Sequence, residues 1–359
     1  MREISLRTLT RGTPAADRIA LLSIWFRGHN NPRYAELLPR LDRLDACLLR
    51  LPDARIPRGL GFRAFTAVKP LLLRAALGGA ARRYASLLSL DFDQLGHWDG
   101  AAVMDADDPF FTQRELELLG RPAVRAYVVT AESAARRYEA LGVSKPWVVI
   151  PQGVNLEAAT VELRSQAGER KQAGELVLGW MAAHLLTAGD RDADNPLYNI
   201  DHLLALWEEI HLRVPQARLW LVGGASQHVK ERLVGRDDIV LFGRLPRAQA
   251  LAVAASFDVA PYARTADQGI RAAKIAELIG LGVPTVSYDY KVTANLRETG
   301  AGILVRGPHE FVEALTHLLT DDEARAGYAA AAARAGLALD WDVLARRYAD
   351  EVLDTYLDG

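Results

Sequence analysis

Short apolar runs alternating with segments of helical spacing recur along the whole chain, and this rhythm restricts the fold more than any single motif. Arg18-Ile-Ala-Leu-Leu-Ser-Ile-Trp25 is one such run, and others fall at 46–51, 101–104, 124–130 and 147–151. Strands covered by helices on both faces are apolar throughout instead of alternating. The first half therefore reads as a parallel sheet between helices. Residues 156–174, rich in Glu, Gln, Arg and Ala, break the rhythm; Glu175-Leu-Val-Leu-Gly-Trp180-Met restarts it, and it continues at 217–223, 238–243, 257–261, 283–288 and 302–305. With 359 residues, each half is large enough to bury its own core. The expected organisation is α/β, with a first domain over 1–156, a linker over 157–174, a second doubly wound domain over 175–335, and a helix over 336–359 packing back on the first domain.

Within the second half, Arg271-Ala-Ala-Lys274-Ile-Ala-Glu277-Leu-Ile-Gly-Leu-Gly282-Val-Pro284-Thr-Val286 reads as a charged helix start, a glycine turn and a buried strand. Open α/β sheets bind ligands at such junctions. Lys274 and Glu277, three apart, share a helix face. A cation suits phosphate and a carboxylate suits paired sugar hydroxyls, although an ordinary junction with solvated charges fits this stretch equally well.

Composition narrows the classes. The net charge of −2, from 43 basic and 45 acidic residues, gives no global field for nucleic acid. The single cysteine, Cys47 in Ala46-Cys47-Leu-Leu, excludes an internal disulfide and reads as a buried structural thiol. Charges at Arg2, Glu3, Arg7 and Arg11 argue against a secretion signal, and no apolar run reaches membrane-spanning length. A cytoplasmic chain is the expectation.

The order of motifs resembles the GT-B-fold glycosyltransferases, especially the large retaining family four, in its Lys-x-x-Glu variant. Pro151-Gln-Gly-Val-Asn155 is similar to that family's interdomain link, and Leu178-Gly-Trp180-Met-Ala-Ala-His184 to the strand and small-residue loop opening its donor domain. Pro215-Gln-Ala-Arg-Leu-Trp-Leu-Val-Gly223, Val240-Leu-Phe-Gly243-Arg-Leu-Pro and Lys274 with Glu277 continue the match, which spans roughly residues 120–310. The resemblance implies two Rossmann-like domains facing across a cleft, with C-terminal helices and the second domain binding a nucleotide sugar. By position, Glu277 would accept hydrogen bonds from ribose hydroxyls and Lys274, with Arg271, would face the diphosphate. The N–H groups of Gly269 and Ile270 would serve as phosphate or sugar donors. Arg244 and Leu245 would lie along the base; Arg244 and Arg271 read equally as solvated charges. Gly28, in Gly28-His29-Asn30-Asn31, matches a glycine loop near the donor phosphates, and His184 is a candidate lining residue.

Two departures stand out. Gly269 occupies the place of the usual first glutamate, with Asp267 two residues earlier as a sugar contact or a surface charge. Trp180 stands where relatives are often basic. In the first domain, Val103-Met-Asp105-Ala-Asp107-Asp108-Pro109 resembles the family's Asp-x-Asp-Asp variant, with Asp107 where relatives carry a catalytic-site histidine and Asp105 beside it in the cleft. A capping role is the other reading, and Phe110 and Phe111 read as core. The same Asp-x-Asp pair raises the rival of a metal-dependent GT-A transferase, which leaves the second strand array unexplained. Asp190-Arg-Asp192-Ala-Asp194 reads as a solvated loop.

The function implied is transfer of a glycosyl group from a nucleoside diphosphate sugar to an acceptor hydroxyl with retention of configuration, without cofactor or metal. The alternatives are a nucleotide-sugar epimerase of the same fold or a non-catalytic sugar- or nucleotide-binding protein. The expected partners are the donor and a hydroxyl-bearing acceptor, small or lipid-linked. Residues 63–88, which mix Lys69, Arg74, Arg82 and Arg83 with apolar positions, read either as a cover helix broken at Pro70 and Gly78-Gly79 or as a peripheral contact with the inner membrane face.

Overall fold

The computed structural model describes residues 1–11, 13–15, 17–26, 32–51, 58–158, 160–172, 174–191, 195, 198–267 and 272–358. It divides into two compact units, Met1–Pro151 with Trp341–Gly359, and Gln152–Asp340. The segment expected as a linker, 157–174, carries the helix Val161–Gly168, capped by Thr160, and groups with the second unit.

Unit 1 is built on seven parallel strands: β1 (Arg2–Glu3), β2 (Ile19–Phe26), β3 (Leu44–Leu51), β4 (Ser86–Ser89), β5 (Ala101–Ala106), β6 (Val124–Val129) and β7 (Trp147–Val149). Their order is β1-β3-β2-β4-β5-β6-β7. The apolar runs become these strands because both faces are covered: Leu21, Leu22, Leu87, Leu88, Val103, Ala126 and Val128 are fully buried. Cys47 lies in β3, buried, and burial pushes its thiol up to about 11. From the C-terminal segment, Trp341, Leu344, Tyr348 and Val352 fill the same core, along the helix Trp341–Tyr348 and the π turn Ala349–Asp354 that continues it.

Two expectations about this unit are corrected. The helix Arg58–Ala80 runs unbroken through Pro70 and Gly78-Gly79. Pro70 is exposed, and a Cβ on Gly79 would lie 2.6 Å from the Thr10 Cβ, so Gly79 serves the close packing of the helix Leu6–Thr10. Phe110 is 78% exposed and not core, whereas Phe111 packs its ring 4.8 Å from Tyr138.

Unit 2 contains β8 (Leu176–Leu185), β9 (Ala217–Ala225) and β10 (Ile239–Gly243), then β11 (Ala260–Tyr262), β12 (Thr285–Tyr288) and β13 (Gly302–Val305), as two parallel three-stranded sheets. A parallel bridge between Leu178 and Val259 joins them, giving the order β10-β9-β8-β11-β12-β13. That is the doubly wound nucleotide-binding order, with its switch point between β8 and β11. Gly179 makes the junction fit, since a Cβ there would fall 2.0 Å from the Phe257 ring. Helix Ala273–Gly280 follows β11 and ends at Gly282, whose φ of +74° lets Gly282 and Val283 return their N–H groups to Ile279 and Leu278.

Candidate functional site

Parallel strands deliver their connecting loops to the carboxyl edge of the sheet, and at a switch point neighbouring loops part to leave a crevice. In unit 2 that edge carries the residues following β8, β11 and β12. Helix Ala273–Gly280 starts there without a side-chain cap; the Ala272 N–H goes to the Val292 carbonyl and the Ile275 N–H to that of Ala272, which leaves the Ala273 and Lys274 N–H groups without an acceptor among the described residues. Lys274 lies in this turn and Glu277 one turn on, as their spacing requires.

Glu277 is 5% exposed and pairs with Arg247, whose Nη2 lies 2.9 Å from its Oε1. Arg247 opens the helix Arg247–Ala254. The half-buried Lys274 makes no hydrogen bond or ion pair with the described residues. Burial pushes its ammonium below the ordinary lysine value; the Glu277 carboxylate opposes that shift and the Arg247 guanidinium adds to it. Spacing alone set Lys274 and Glu277 one turn apart, but it gave no sign of Arg247, which pairs with Glu277 only through the fold.

At the switch point itself, Trp180 of β8 stacks on Tyr262 of β11, with ring centroids 6.1 Å apart. Arg264, just past β11, is 6% exposed and donates from Nη1 to the Tyr262 hydroxyl at 3.4 Å. Nothing in the local sequence marked Arg264 as buried. Of the remaining candidates in this unit, His184 is exposed and meets Tyr198 edge-on at 5.3 Å. Arg244 is exposed near Gly224, while Leu245 packs against a core cluster. Asp267 accepts the N–H groups of Lys291 and Val292, both at 3.2 Å, and so caps the 3-10 turn Lys291–Thr293. Arg271, Gly269 and Ile270 lie outside the described residues, as do Gly28, His29, Asp192 and Asp194.

The carboxylates of unit 1 depart from the expected open site. Asp105, at the end of β5, is 1% exposed and receives Arg33 Nε and Nη2 at 3.2 to 3.4 Å and the Tyr348 hydroxyl at 3.0 Å. Arg33 is fully buried and also donates Nη1 to the carbonyls of Ile150 and Pro151. Burial holds the Asp105 carboxyl above its usual range even though Arg33 pulls it down. Burial alone would lower the Arg33 guanidinium, but Asp105 and Asp107 reverse the shift upward. The donor-binding role expected of Asp105 is thus replaced by a structural one. Its oxygens are taken up inside the unit, and the adjacent cation disfavours a metal there. Asp107, 10% exposed, lies 3.9 Å from Arg33 Nε. Among the described residues no group of three or more His, Cys, Asp or Glu is arranged to hold a metal ion.

Solved structures share this architecture from end to end. Sucrose-phosphate synthase from Thermosynechococcus elongatus superposes with a TM-score of 0.67 at 16% identity, covering 96% of this chain and 100% of its own. Anabaena HepE in complex with UDP and glucose gives 0.66 at 17% identity, covering 93% and 99%. A putative UDP-N-acetylglucosamine 2-epimerase from Listeria monocytogenes gives 0.65 at 14%, covering 95% and 98%. The fold is GT-B. Residues 183–321 of this GT-B chain match the family model for glycosyl transferases group 1, a stretch that contains Arg247, Arg264, Lys274 and Glu277. No curated protein sequence matches the chain.

Proposed function

We propose that this chain transfers a glycosyl group from a nucleoside diphosphate sugar to an acceptor hydroxyl, with retention of anomeric configuration and without a metal. The observation that carries this reading is Lys274, an ammonium that makes no hydrogen bond or ion pair among the described residues, one helical turn from the buried Glu277 carboxylate at the carboxyl edge of a doubly wound sheet. The leaving diphosphate develops negative charge, and fixed cations and N–H dipoles stabilise that charge more effectively than a proton donor would. Lys274 and the uncapped helix start supply them. Glu277 accepts the ribose hydroxyls, exchanging part of its contact with Arg247 for the ligand.

HepE was solved with UDP, which makes UDP the first nucleotide to try. Asp107 is assigned to the acceptor hydroxyl. Acceptor contact with an anionic membrane face, on a cytoplasmic chain, is part of the proposal. Helix Arg58–Ala80 exposes Val68, Pro70, Leu71 and Arg74, and no carboxylate occurs from residue 54 to residue 90. Lys69 is not part of that face, being paired with Asp91 and Asp93. No helix among the described residues is long and apolar enough to cross a membrane.

The deciding experiment is thermal shift with nucleoside diphosphates, followed by product analysis with the matching sugar donors. A ligand that binds only the folded form raises its stability. Transfer to an acceptor with the donor anomer retained supports the reading. Inversion removes the retaining assignment, turnover of donor alone favours an epimerase, and absence of any nucleotide binding overturns the proposal.

A further inference from the structure

We infer that Arg264 is the receptor for a second anionic group of the bound ligand, a phosphate or carboxylate oxyanion held apart from the Lys274–Glu277 pair. The inference builds on the donor-binding reading above, and its starting point is a buried cation with no ion pair among the described residues. Arg264 is 6% exposed; among the described residues its one hydrogen bond goes to a neutral phenol at 3.4 Å, and its Nε has no acceptor. A guanidinium presents five donors in a rigid fork suited to a planar oxyanion. Burying it with one long bond is costly, and folded chains keep such a group where a ligand completes it.

Position agrees with this. Arg264 leaves the carboxyl end of β11, one of the two strands flanking the switch point, and its Tyr262 partner stacks on Trp180 from the other strand. Trp180 Nε1 is a second buried donor in the same place without an acceptor. Two side chains packed on one tyrosine thus carry N–H groups with no acceptor among the described residues, which is the complement of an acceptor-rich, negatively charged group. Glu277, the buried carboxylate nearest in the sequence, is already engaged by Arg247. Asp267 is occupied by the Lys291 and Val292 N–H groups. Neither supplies the missing charge.

Two parts of a donor carry this chemistry: the diphosphate, or a carboxylate on the transferred sugar. Calorimetric titration of the wild type, Arg264→Met and Arg264→Lys with inorganic pyrophosphate, UDP, UDP-glucose and UDP-glucuronate separates them. A tenfold or greater loss in Arg264→Met for pyrophosphate and UDP, partly restored in Arg264→Lys, assigns the diphosphate. A loss confined to UDP-glucuronate, which the wild type then prefers over UDP-glucose, assigns the sugar carboxylate. Equal binding of all four ligands by wild type and Arg264→Met overturns the inference and leaves the donor reading intact. Pyrophosphate binding that depends on Arg264, without any nucleotide binding, keeps the inference and removes the donor reading. A wild type that binds none of the four overturns both. Circular dichroism of each variant confirms that the titrated protein is folded.

Discussion

Arg33 and Arg264 are both withdrawn from solvent, yet their surroundings differ completely. Arg33, fully buried in unit 1, meets Asp105, Asp107 and the carbonyls of Ile150 and Pro151. Arg264, 6% exposed in unit 2, has among the described residues a single hydrogen-bond partner, a phenolic oxygen at 3.4 Å. The first is saturated by its own protein and the second is not. A charge removed from water is tolerated only where something replaces the lost hydration, so the saturated arginine belongs to the architecture and the unsaturated one to a ligand. Burial alone does not distinguish the two roles; the inventory of partners does.

The contrast breaks most directly under truncation. Arg33→Met leaves Asp105 buried and uncompensated and is expected to cost about 3–5 kcal/mol of stability, read from denaturant unfolding. Arg264→Met removes a charge that no described residue offsets, so the unliganded protein should change by less than about 1 kcal/mol or gain stability. Equal losses in both variants would show that the two sites are the same kind of object. The next largest effect falls on chemistry: Lys274→Ala should lower kcat by about 10²–10³-fold, the usual loss on deleting one transition-state donor, with the melting temperature held. Normal turnover in that variant would remove Lys274 from the site.

The fold was legible because its signals are local. Each apolar run reports burial on both faces of a strand, and Gly282 followed by Val283-Pro284 marks the end of a helix whatever surrounds it. Lys274 and Glu277 were legible for the same reason, since three positions along a helix is a distance the sequence itself fixes. What escaped was set by long-range closure. Arg33 reaches Asp105 across 72 positions and Tyr348 reaches it across 243, so Asp105 looked like an open carboxylate until its partners were in place. The sequence singled out neither Arg247 nor Arg264, because no local spacing reports what either side chain meets. Phe110 failed in the opposite sense: an aromatic pair beside a strand suggests core, but the Glu115 carboxylate takes the N–H groups of both Phe110 and Phe111 and turns the first ring outward.

Smaller tests refine the comparison. Tyr348→Phe removes one hydrogen bond to the Asp105 carboxylate and should cost about 1.5–3 kcal/mol, the range for a bond to a charged group. Acidity probes the unsaturated side. The folded chain holds the Lys274 ammonium below its ordinary 10.5, so the unfolded chain binds more protons over the interval between the lowered value and 10.5. Unliganded stability should therefore rise with pH across that interval. Diphosphate affinity needs the protonated form and should fall there, by about tenfold for one charge-assisted bond. Lys274→Arg, charged throughout, should flatten the affinity profile; a wild-type profile that is already flat would separate Lys274 from the ligand.

The smallest effect concerns Asp267, which the sequence left divided between a sugar contact and a surface charge. Its two oxygens each take one backbone N–H, from Lys291 and Val292, which is the work of a helix cap. Asp267→Ala should then cost about 1 kcal/mol of stability, as cap removal does, and leave donor KM and kcat within twofold of the wild type. Asp267→Asn, which keeps an acceptor for one of the two N–H groups, should recover part of that loss. A sugar contact predicts the reverse pattern: little change in melting temperature and a raised KM for the sugar donor, with UDP binding unaffected. Because Asp267 lies three residues beyond Arg264, that reverse pattern would place a carboxylate beside the proposed oxyanion receptor. A negative neighbour repels an anion in proportion to its charge, so this pattern would weigh against the diphosphate and for the singly charged sugar carboxylate as the group held by Arg264.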